Sequence, residues 1–341
     1  MRKFPRIPAS FFGIVLGLAG LGKCWIAAEM AWNLPDFFSQ IILAATVFVW
    51  AILMALYIAK WLVARDEALA EIHHPVQGCF IGLGGIATLL VSIAIAPHAR
   101  DLALVLFGIG GLGTFAYSVY FTGRRWMGTL DTGATSPALY LPSVAGNFVI
   151  ASVSGYFGHE DWGALFFGMG MLSWLALESV VSYRLFFEPG MLLAMRPLIT
   201  IMLAPPGIAC VAYLSITGGI KGDKPDLFAH ALFGYGLLQL FHLLRLLPWI
   251  TCQPFAASYW SISFGMTNLA LISIQFILRG QTGYIEWVSV VLLLLANLTV
   301  FMLVGGTVWL LLQGKLLPPP LAVTPKQGPG NQGHPQIQQP S

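Results

Sequence analysis

A run of polar residues lies inside an apolar segment near the end of the chain. Tyr259–Ala270 reads Tyr-Trp-Ser-Ile-Ser-Phe-Gly-Met-Thr-Asn-Leu-Ala, so hydroxyl groups, an amide and a glycine interrupt a stretch apolar enough to cross a bilayer. An unpaired polar group in hydrocarbon costs free energy, so a helix that faced only lipid would not carry these groups. Phe264 places a bulky ring beside Gly265, which has no side chain. We therefore predict that this helix lines a pore and that Phe264 obstructs it.

Two ionisable residues interrupt other apolar segments, where a charge is costly and suggests a function. For Glu178 we favour a structural role near the cytoplasmic end, paired with Arg184 or Arg245, over proton coupling. Lys23 either concentrates anions in the outer vestibule of a pore or extends its ammonium to the membrane surface. The residue type leaves both interpretations of Lys23 open.

Patterns that would indicate an enzyme, a metal centre or a cofactor do not occur in the sequence. The four cysteines are scattered without CxxC spacing, and no GxSxG, HExxH or P-loop pattern is present. Asn147, Thr267 and Asn268 carry polar groups into apolar segments, where such groups either join helices or line a path. The sequence therefore predicts no enzyme, no metal site and no cofactor.

The composition is that of a polytopic membrane protein. Of the 341 residues, 57% are hydrophobic and 9% are charged, whereas about 25% are charged in a typical soluble domain. The net charge of +3 is too small to suggest a nucleic-acid partner. We predict one transmembrane domain over residues 1–315 and, because residues 316–341 are rich in Pro, Gln and Gly, a disordered cytoplasmic tail.

Hydropathy divides the chain into ten segments, each near the roughly 20 residues that a bilayer requires. They run over about 8–31, 36–63, 75–97, 99–123, 139–158, 161–183, 196–217, 226–249, 258–278 and 283–313. If the segments all cross the membrane, twelve of the seventeen Lys and Arg residues lie on one side. The positive-inside rule makes that side cytoplasmic and places both termini there.

The odd-numbered segments form an internal repeat. Four of them carry proline within or just before the helix, at Pro8, Pro75, Pro142 and Pro205-Pro206, whereas several even segments are richer in large apolar side chains. Proline removes a backbone hydrogen bond, and the freed carbonyl needs protein or water nearby. We therefore predict five helical hairpins, with the kinked odd helices inside around a central path and the straighter even helices outside.

Several segments, in the same order, resemble the tellurite-resistance/dicarboxylate transporter family, whose bacterial tellurite-resistance members have the most similar pattern. The family also includes the slow anion channels of plant guard cells. The resemblance covers about residues 5–315. It is carried by Ser10–Gly17, His74–Val76, Leu139–Phe148, Gly234–Leu240, Arg245–Trp249 and Trp260–Gly265.

The resemblance implies an all-α protomer of ten transmembrane helices with quasi-fivefold symmetry, assembled as a homotrimer in the bacterial inner membrane with one pore per subunit. It implies passive conduction of small anions and assigns Phe264 as the pore-blocking phenylalanine of the ninth helix. Gly13 matches a glycine that leaves room for the ring. The sequence departs from the family pattern at Lys23, where an apolar residue is usual, and at Ser179, where proline is usual.

Two functions remain for this pattern. In the first, the protein is an anion channel gated by Phe264, with Gly13, Gly265, Asn147 and Pro205 lining the pore. In the second, it is a secondary carrier or efflux system for C4-dicarboxylates or oxyanions. A carrier is expected to have cationic groups or helix N-termini at a midplane site. The predicted inner helices offer only Lys23, which favours the channel.

Overall fold

The computed structural model describes residues 6–128 and 135–317, and all regular secondary structure in these ranges is helical. Ten of the helices there are long and apolar enough to cross a membrane, as the sequence predicts. They are Ala9–Trp32, Phe37–Val63, Gln77–Ile95, Arg100–Trp126, Pro137–Tyr156, Glu160–Phe187, Leu193–Ile216, Leu227–Ile250, Ala257–Leu278 and Tyr284–Leu312, called the first to tenth spans below. Apart from residues 316 and 317, the predicted tail lies outside the described residues.

The spans alternate between the inside and the outside of the bundle. Between 72 and 94% of the residues in the apolar stretch of each odd span are buried, against 17 to 39% in each even span. The odd spans are therefore called inner and the even spans outer. This alternation confirms the predicted five hairpins, each with one inner and one outer helix. Small residues and helix breakers of the inner helices are surrounded by protein, and large apolar side chains of the outer helices face outward.

The inner spans form a closed ring. Each contacts the next in chain order, and the ninth contacts the first. Glycine permits the closest approach: a Cβ atom on Gly17 would lie 2.5 Å from Ser263 Oγ. Gly265 also lies close to the seventh span, since its Cβ would be 2.8 Å from that of Leu203. Van der Waals packing of small residues is a main source of helix association in membranes.

Every inner span begins with a turn or more of non-α helix. The starting segments are 3₁₀ in four spans, Ala9–Phe11, Gln77–Phe80, Leu193–Leu203 and Ala257–Trp260. The fifth span begins with 3₁₀ helix over Pro137–Leu139 and then π-helix over Leu141–Ala145. The ninth span has the same irregular start without proline; for this span the sequence predicts that Ser261, Ser263 and Thr267 supply the bending instead. All five irregular starts lie at one end of the bundle.

Indole groups connect the inner ring to the outer helices. Trp50 Nε1 of the second span donates to Thr88 Oγ1 of the third at 3.1 Å. Trp260 Nε1 of the ninth span donates to Thr307 Oγ1 of the tenth at 2.8 Å. In hydrocarbon each such group needs a protein partner, so these pairs also set the rotation of one helix relative to the next.

A short surface helix, Arg65–His73, covers the end of the bundle where the inner spans begin. Its Glu71 is fully buried, forms an ion pair with Lys60 at 2.7 Å and accepts a hydrogen bond from Ala9 N at 2.7 Å. The start of the first span is thereby joined to the second span. A buried charge is tolerated here because it is both paired and hydrogen-bonded.

Candidate functional site

A narrow cavity of about 40 Å³ lies on the axis of the inner ring. All five inner spans contribute to its wall, which consists of Ser10, Gly13, Leu16, Phe80, Leu83, Leu141, Ala145, Ile201, Ala204, Ala257, Ser258, Trp260, Ser261 and Phe264. None of these side chains is ionisable, and three serine hydroxyls are the only polar side-chain groups apart from the indole. The cavity lies where the inner spans leave regular α-helix, and it has room for a few water molecules at most.

Phe264 lies at the deep end of this cavity and is 6% exposed. Seven residues into the ninth span, it is at a depth similar to Leu16, seven residues into the first, and both side chains belong to the wall. Gly13, the residue that the resemblance assigns to make room for the ring, lines the same cavity. The structure thus places Phe264 and Gly13 in the wall of one cavity, although the atom nearest to a Cβ at Gly13 is Trp260 Cβ, at 3.6 Å.

The hydroxyl groups of the ninth span bond mainly to backbone. Ser263 Oγ donates to Trp260 O at 2.7 Å, and Thr267 Oγ1 donates to Ser263 O at 3.0 Å within the same helix. Ser261 Oγ reaches the seventh span, where it lies 2.8 Å from Pro197 O and 2.7 Å from Thr200 Oγ1. These groups are therefore satisfied inside the ring and leave an apolar surface around Phe264.

Two polar side chains lie beyond Phe264. Asn268 is 2% exposed, and its Nδ2 has no hydrogen-bond partner among the described residues. Lys23 follows Leu16 by seven residues on the same helix face, about 10 Å further along the axis, and its ammonium has no bonding partner in the described chain. Cys24 Sγ donates to Thr267 O at 3.0 Å, so Lys23 and Asn268 lie at similar depth.

Three other predicted pore-lining residues do not contribute to the cavity wall. Gly265 packs against Leu203, and Pro205 is buried in the first turn of the seventh span's α-helix. Asn147 is 5% exposed; its Nδ2 donates to Ser143 O at 2.6 Å and its Oδ1 has no partner in the described part of the chain. Their role in the path beyond Phe264 stays a prediction.

The predicted pairing of Glu178 with Arg184 or Arg245 is wrong. Its carboxyl oxygens accept from Tyr140 Oη at 2.7 Å, Trp174 Nε1 at 2.9 Å and Tyr235 Oη at 2.8 Å. Arg184 instead donates to Pro189 O. Three neutral donors satisfy the carboxyl group without a cation, and they connect the sixth and eighth spans to Tyr140, which directly precedes Leu141 of the cavity wall.

Sequence reasoning missed several residues of this region. Leu16 and Phe80 line the cavity, but nothing in their type separates them from apolar residues that face lipid. One partner of Glu178 was weakly indicated by the sequence. Trp174 precedes Glu178 by four residues, which is the spacing of neighbours on a helix. Tyr140 lies within the Leu139–Phe148 segment that carries the resemblance.

These features define a membrane protein with ten candidate spans, of which the inner five surround an apolar cavity. Comparison with known proteins gives its class. The model of the SLAC1 family, described as voltage-dependent anion channel, matches residues 6–308. The chain belongs to this family.

Individual relatives come from bacteria and plants. The chain is 34% identical over 318 residues to the "Tellurite resistance protein TehA homolog" of Haemophilus influenzae, covering 92% of this chain and 93% of that protein. It is 25% identical over 325 residues to the "S-type anion channel SLAH3" of Arabidopsis thaliana and 23% identical over 287 residues to the "Guard cell S-type anion channel SLAC1" of that plant. These matches cover 90% and 80% of this chain but only 49% and 50% of the two plant proteins.

Proposed function

We propose that this protein is a passive anion channel in which the ring of Phe264 obstructs a path along the axis of the inner ring. The observation that carries the proposal is the cavity itself: all five inner spans line it, no ionisable side chain does, and Phe264 lies at its deep end. A path without a fixed charged site at its narrowest point suits conduction better than the tight binding that a carrier needs.

The obstruction acts through hydration. An anion crosses a narrow apolar segment only if water or protein dipoles replace its hydration shell, and a ring in a cavity of about 40 Å³ leaves little space for water. Displacing the ring would let water connect the cavity to the region of Asn268 and Lys23. There the Asn268 Nδ2 donor, which has no partner in the described ranges, and the Lys23 ammonium offer an anion a favourable environment.

We expect Phe264→Ala to raise the anion current of the protein in planar bilayers at least tenfold, because removing a hydrophobic constriction restores water along the path. Phe276→Ala is the matched control: Phe276 is in the same span, is fully buried and packs 5.4 Å from the Phe233 ring in the eighth span. An unchanged current in a well-folded Phe264→Ala protein, or an equal increase in Phe276→Ala, would contradict the assignment.

The charge of Lys23 makes a separate prediction. In the Phe264→Ala background, Lys23→Gln is expected to lower anion conductance at low salt by several-fold, with little effect at high salt, because mobile ions screen a vestibule charge. Conductance measured across a series of chloride concentrations checks this. Equal conductance with and without Lys23 at low salt would support the alternative, in which the ammonium extends to the membrane surface.

The same recordings separate the channel from a carrier for C4-dicarboxylates or oxyanions. A channel gives unitary currents, whereas a carrier gives none and its flux saturates with substrate. We further propose that the protein resides in a bacterial inner membrane with both termini in the cytoplasm and assembles as a homotrimer, as the family resemblance implies.

A further inference from the structure

A second cavity, separate from the axial path, lies where the fourth span ends. Its volume is about 160 Å³, and its wall includes His73, Pro75, Tyr120, Phe121, Arg124 and Arg125. The surface helix Arg65–His73 and the loop after it form one side, and the last two turns of the fourth span form the other. Unlike the axial cavity, it is strongly basic.

The basic side chains are held in place by aromatic rings and backbone. The Arg125 guanidinium lies 4.7 Å from the centre of the Phe121 ring, and its Nη2 donates to Pro75 O at 2.7 Å. Arg124 lies 5.8 Å from the Tyr120 ring. A guanidinium has five N–H donors, so the bonds of Arg125 to Pro75 O and to the Cys79 side chain leave others that can contact a ligand in the cavity.

Two of the three carboxylates on the neighbouring surface helix, which are Asp66, Glu67 and Glu71, are engaged elsewhere. Glu71 is fully buried and paired with Lys60, and Glu67 is paired with Arg6. Arg125 has no carboxylate partner among the described residues. The cavity therefore keeps positive charge that an anionic ligand would neutralise.

The cavity lies at the level of the membrane surface. Trp126, the last residue of the fourth span, is 85% exposed, and Leu62 near the end of the second span is 79% exposed. Tryptophan concentrates at the boundary between hydrocarbon and headgroups. Tyr120, which lines the cavity, is itself 46% exposed on the side of the fourth span. A ligand here would have a basic pocket for its phosphate and exposed apolar side chains beside it.

We propose that this cavity binds the phosphate group of an anionic phospholipid from the adjacent leaflet, with Arg125 as its principal contact. Guanidinium groups match phosphate geometry with two parallel hydrogen bonds, and basic pockets beside transmembrane helices recognise lipid headgroups in this way. The exposed apolar surface at Tyr120 and Trp126 favours a lipid, which brings acyl chains, over free phosphate, which does not. This site is independent of the proposed channel function.

Native mass spectrometry of the purified full-length protein, with phosphatidylglycerol and phosphatidylethanolamine added in turn, tests the proposal. Wild-type protein is expected to bind phosphatidylglycerol in preference to phosphatidylethanolamine. Arg125→Gln is expected to weaken phosphatidylglycerol binding about fivefold, the effect of one basic side chain at a membrane surface. Arg196→Gln is the matched control, because Arg196 also stacks on an aromatic ring, at 4.6 Å from Trp249, but lies outside this cavity.

Should Arg125→Gln fail to fold, Arg124→Gln on the same wall provides the same comparison. The proposal is supported if the cavity variant loses its selective binding of phosphatidylglycerol and Arg196→Gln keeps it. Equal binding by all variants, or equal loss in Arg196→Gln, overturns it. A third arm adds inorganic phosphate without lipid: if phosphate displaces phosphatidylglycerol and raises the unfolding temperature only when Arg125 is present, the site takes free phosphate and the lipid assignment is wrong.

Discussion

Phe264 is one of 23 phenylalanines in this chain and, with Phe80, one of the two that line the axial cavity. Phe12, Phe148 and Phe276 are fully buried, and all three rings pack against other aromatic rings in the bundle. Phe264 instead lies in the wall of a cavity on the axis. The ring therefore borders open space on one side, as the proposed movable obstruction requires.

Glu178 is the residue whose interpretation changed most between sequence and structure. The prediction that follows is that Glu178→Gln is destabilising, since Tyr140 and Trp174 donate to Oε2 and Tyr235 donates to Oε1, whereas an amide accepts only at its oxygen. We expect a loss of about 1–3 kcal/mol, the cost of leaving buried polar groups unpaired. A lower midpoint of thermal unfolding in detergent would report it.

Ser179→Ala serves as the control for this substitution. Ser179 is the adjacent residue, is exposed, and its hydroxyl bonds only to Ala176 O of its own helix. If Glu178→Gln unfolds at the same temperature as Ser179→Ala, the three donors do not depend on the carboxyl group. Retention of stability together with a loss of pH-dependent current would instead favour the proton-coupling role.

A histidine ring, called the His74 cap below, bonds to the backbone at the irregular start of the third span. The His74 ring accepts hydrogen bonds at Nδ1 from Val76 N at 3.2 Å and Gln77 N at 3.0 Å. Both bonds require an Nδ1 without a proton. Burial lowers the pKa of His74 below its ordinary value of 6.5, and the nearby Glu71 offsets this only in part.

The cap makes the stability of the protein depend on pH. Because the folded-state pKa of His74 is depressed, this contribution is complete above the ordinary pKa of 6.5 and is lost as the pH falls below it toward the folded-state value. His74→Asn keeps a side-chain acceptor but cannot titrate. We expect wild-type protein to lose about 1 kcal/mol relative to this variant on acidification, measured by thermal unfolding at several pH values; a constant difference would exclude the cap as the cause.

The direction in which the whole bundle crosses the membrane can be tested with a cysteine that the chain already has. Cys252 is free and exposed between the eighth and ninth spans, on the side predicted to be cytoplasmic, whereas Cys24, Cys79 and Cys210 are buried. We therefore expect a membrane-impermeant maleimide to label intact cells poorly and permeabilised cells well. The readout is the mass of the labelled protein.

Two variants calibrate this experiment. Cys252→Ser should abolish labelling in both conditions, which shows that the buried cysteines do not react. Thr282→Cys, exposed between the ninth and tenth spans on the opposite side, should be labelled in intact cells. Labelling of wild-type Cys252 in intact cells would reverse the predicted orientation and place both termini outside.

Local composition was enough to predict the ten spans and their alternation. A bilayer demands about 20 apolar residues for each crossing, and proline or glycine within the hydrocarbon needs protein nearby. Both requirements are visible in the local composition of the sequence. The Pro8, Pro75, Pro142 and Pro205-Pro206 pattern therefore correctly identified four of the five inner spans. Phe264 and Gly13 came from the resemblance, and the structure places them in one cavity.

Contacts between distant residues were decided only by the tertiary structure. Gly265 packs on Leu203 rather than facing the cavity, and Glu178 bonds to Tyr140 and Tyr235, which are 38 and 57 residues away in the chain. Apolar residues such as Leu16 suit lipid, a helix interface and a narrow path equally well, so their type carries no information about which they face. That choice is made by the rotation of each helix, which depends on close packing across the whole ring.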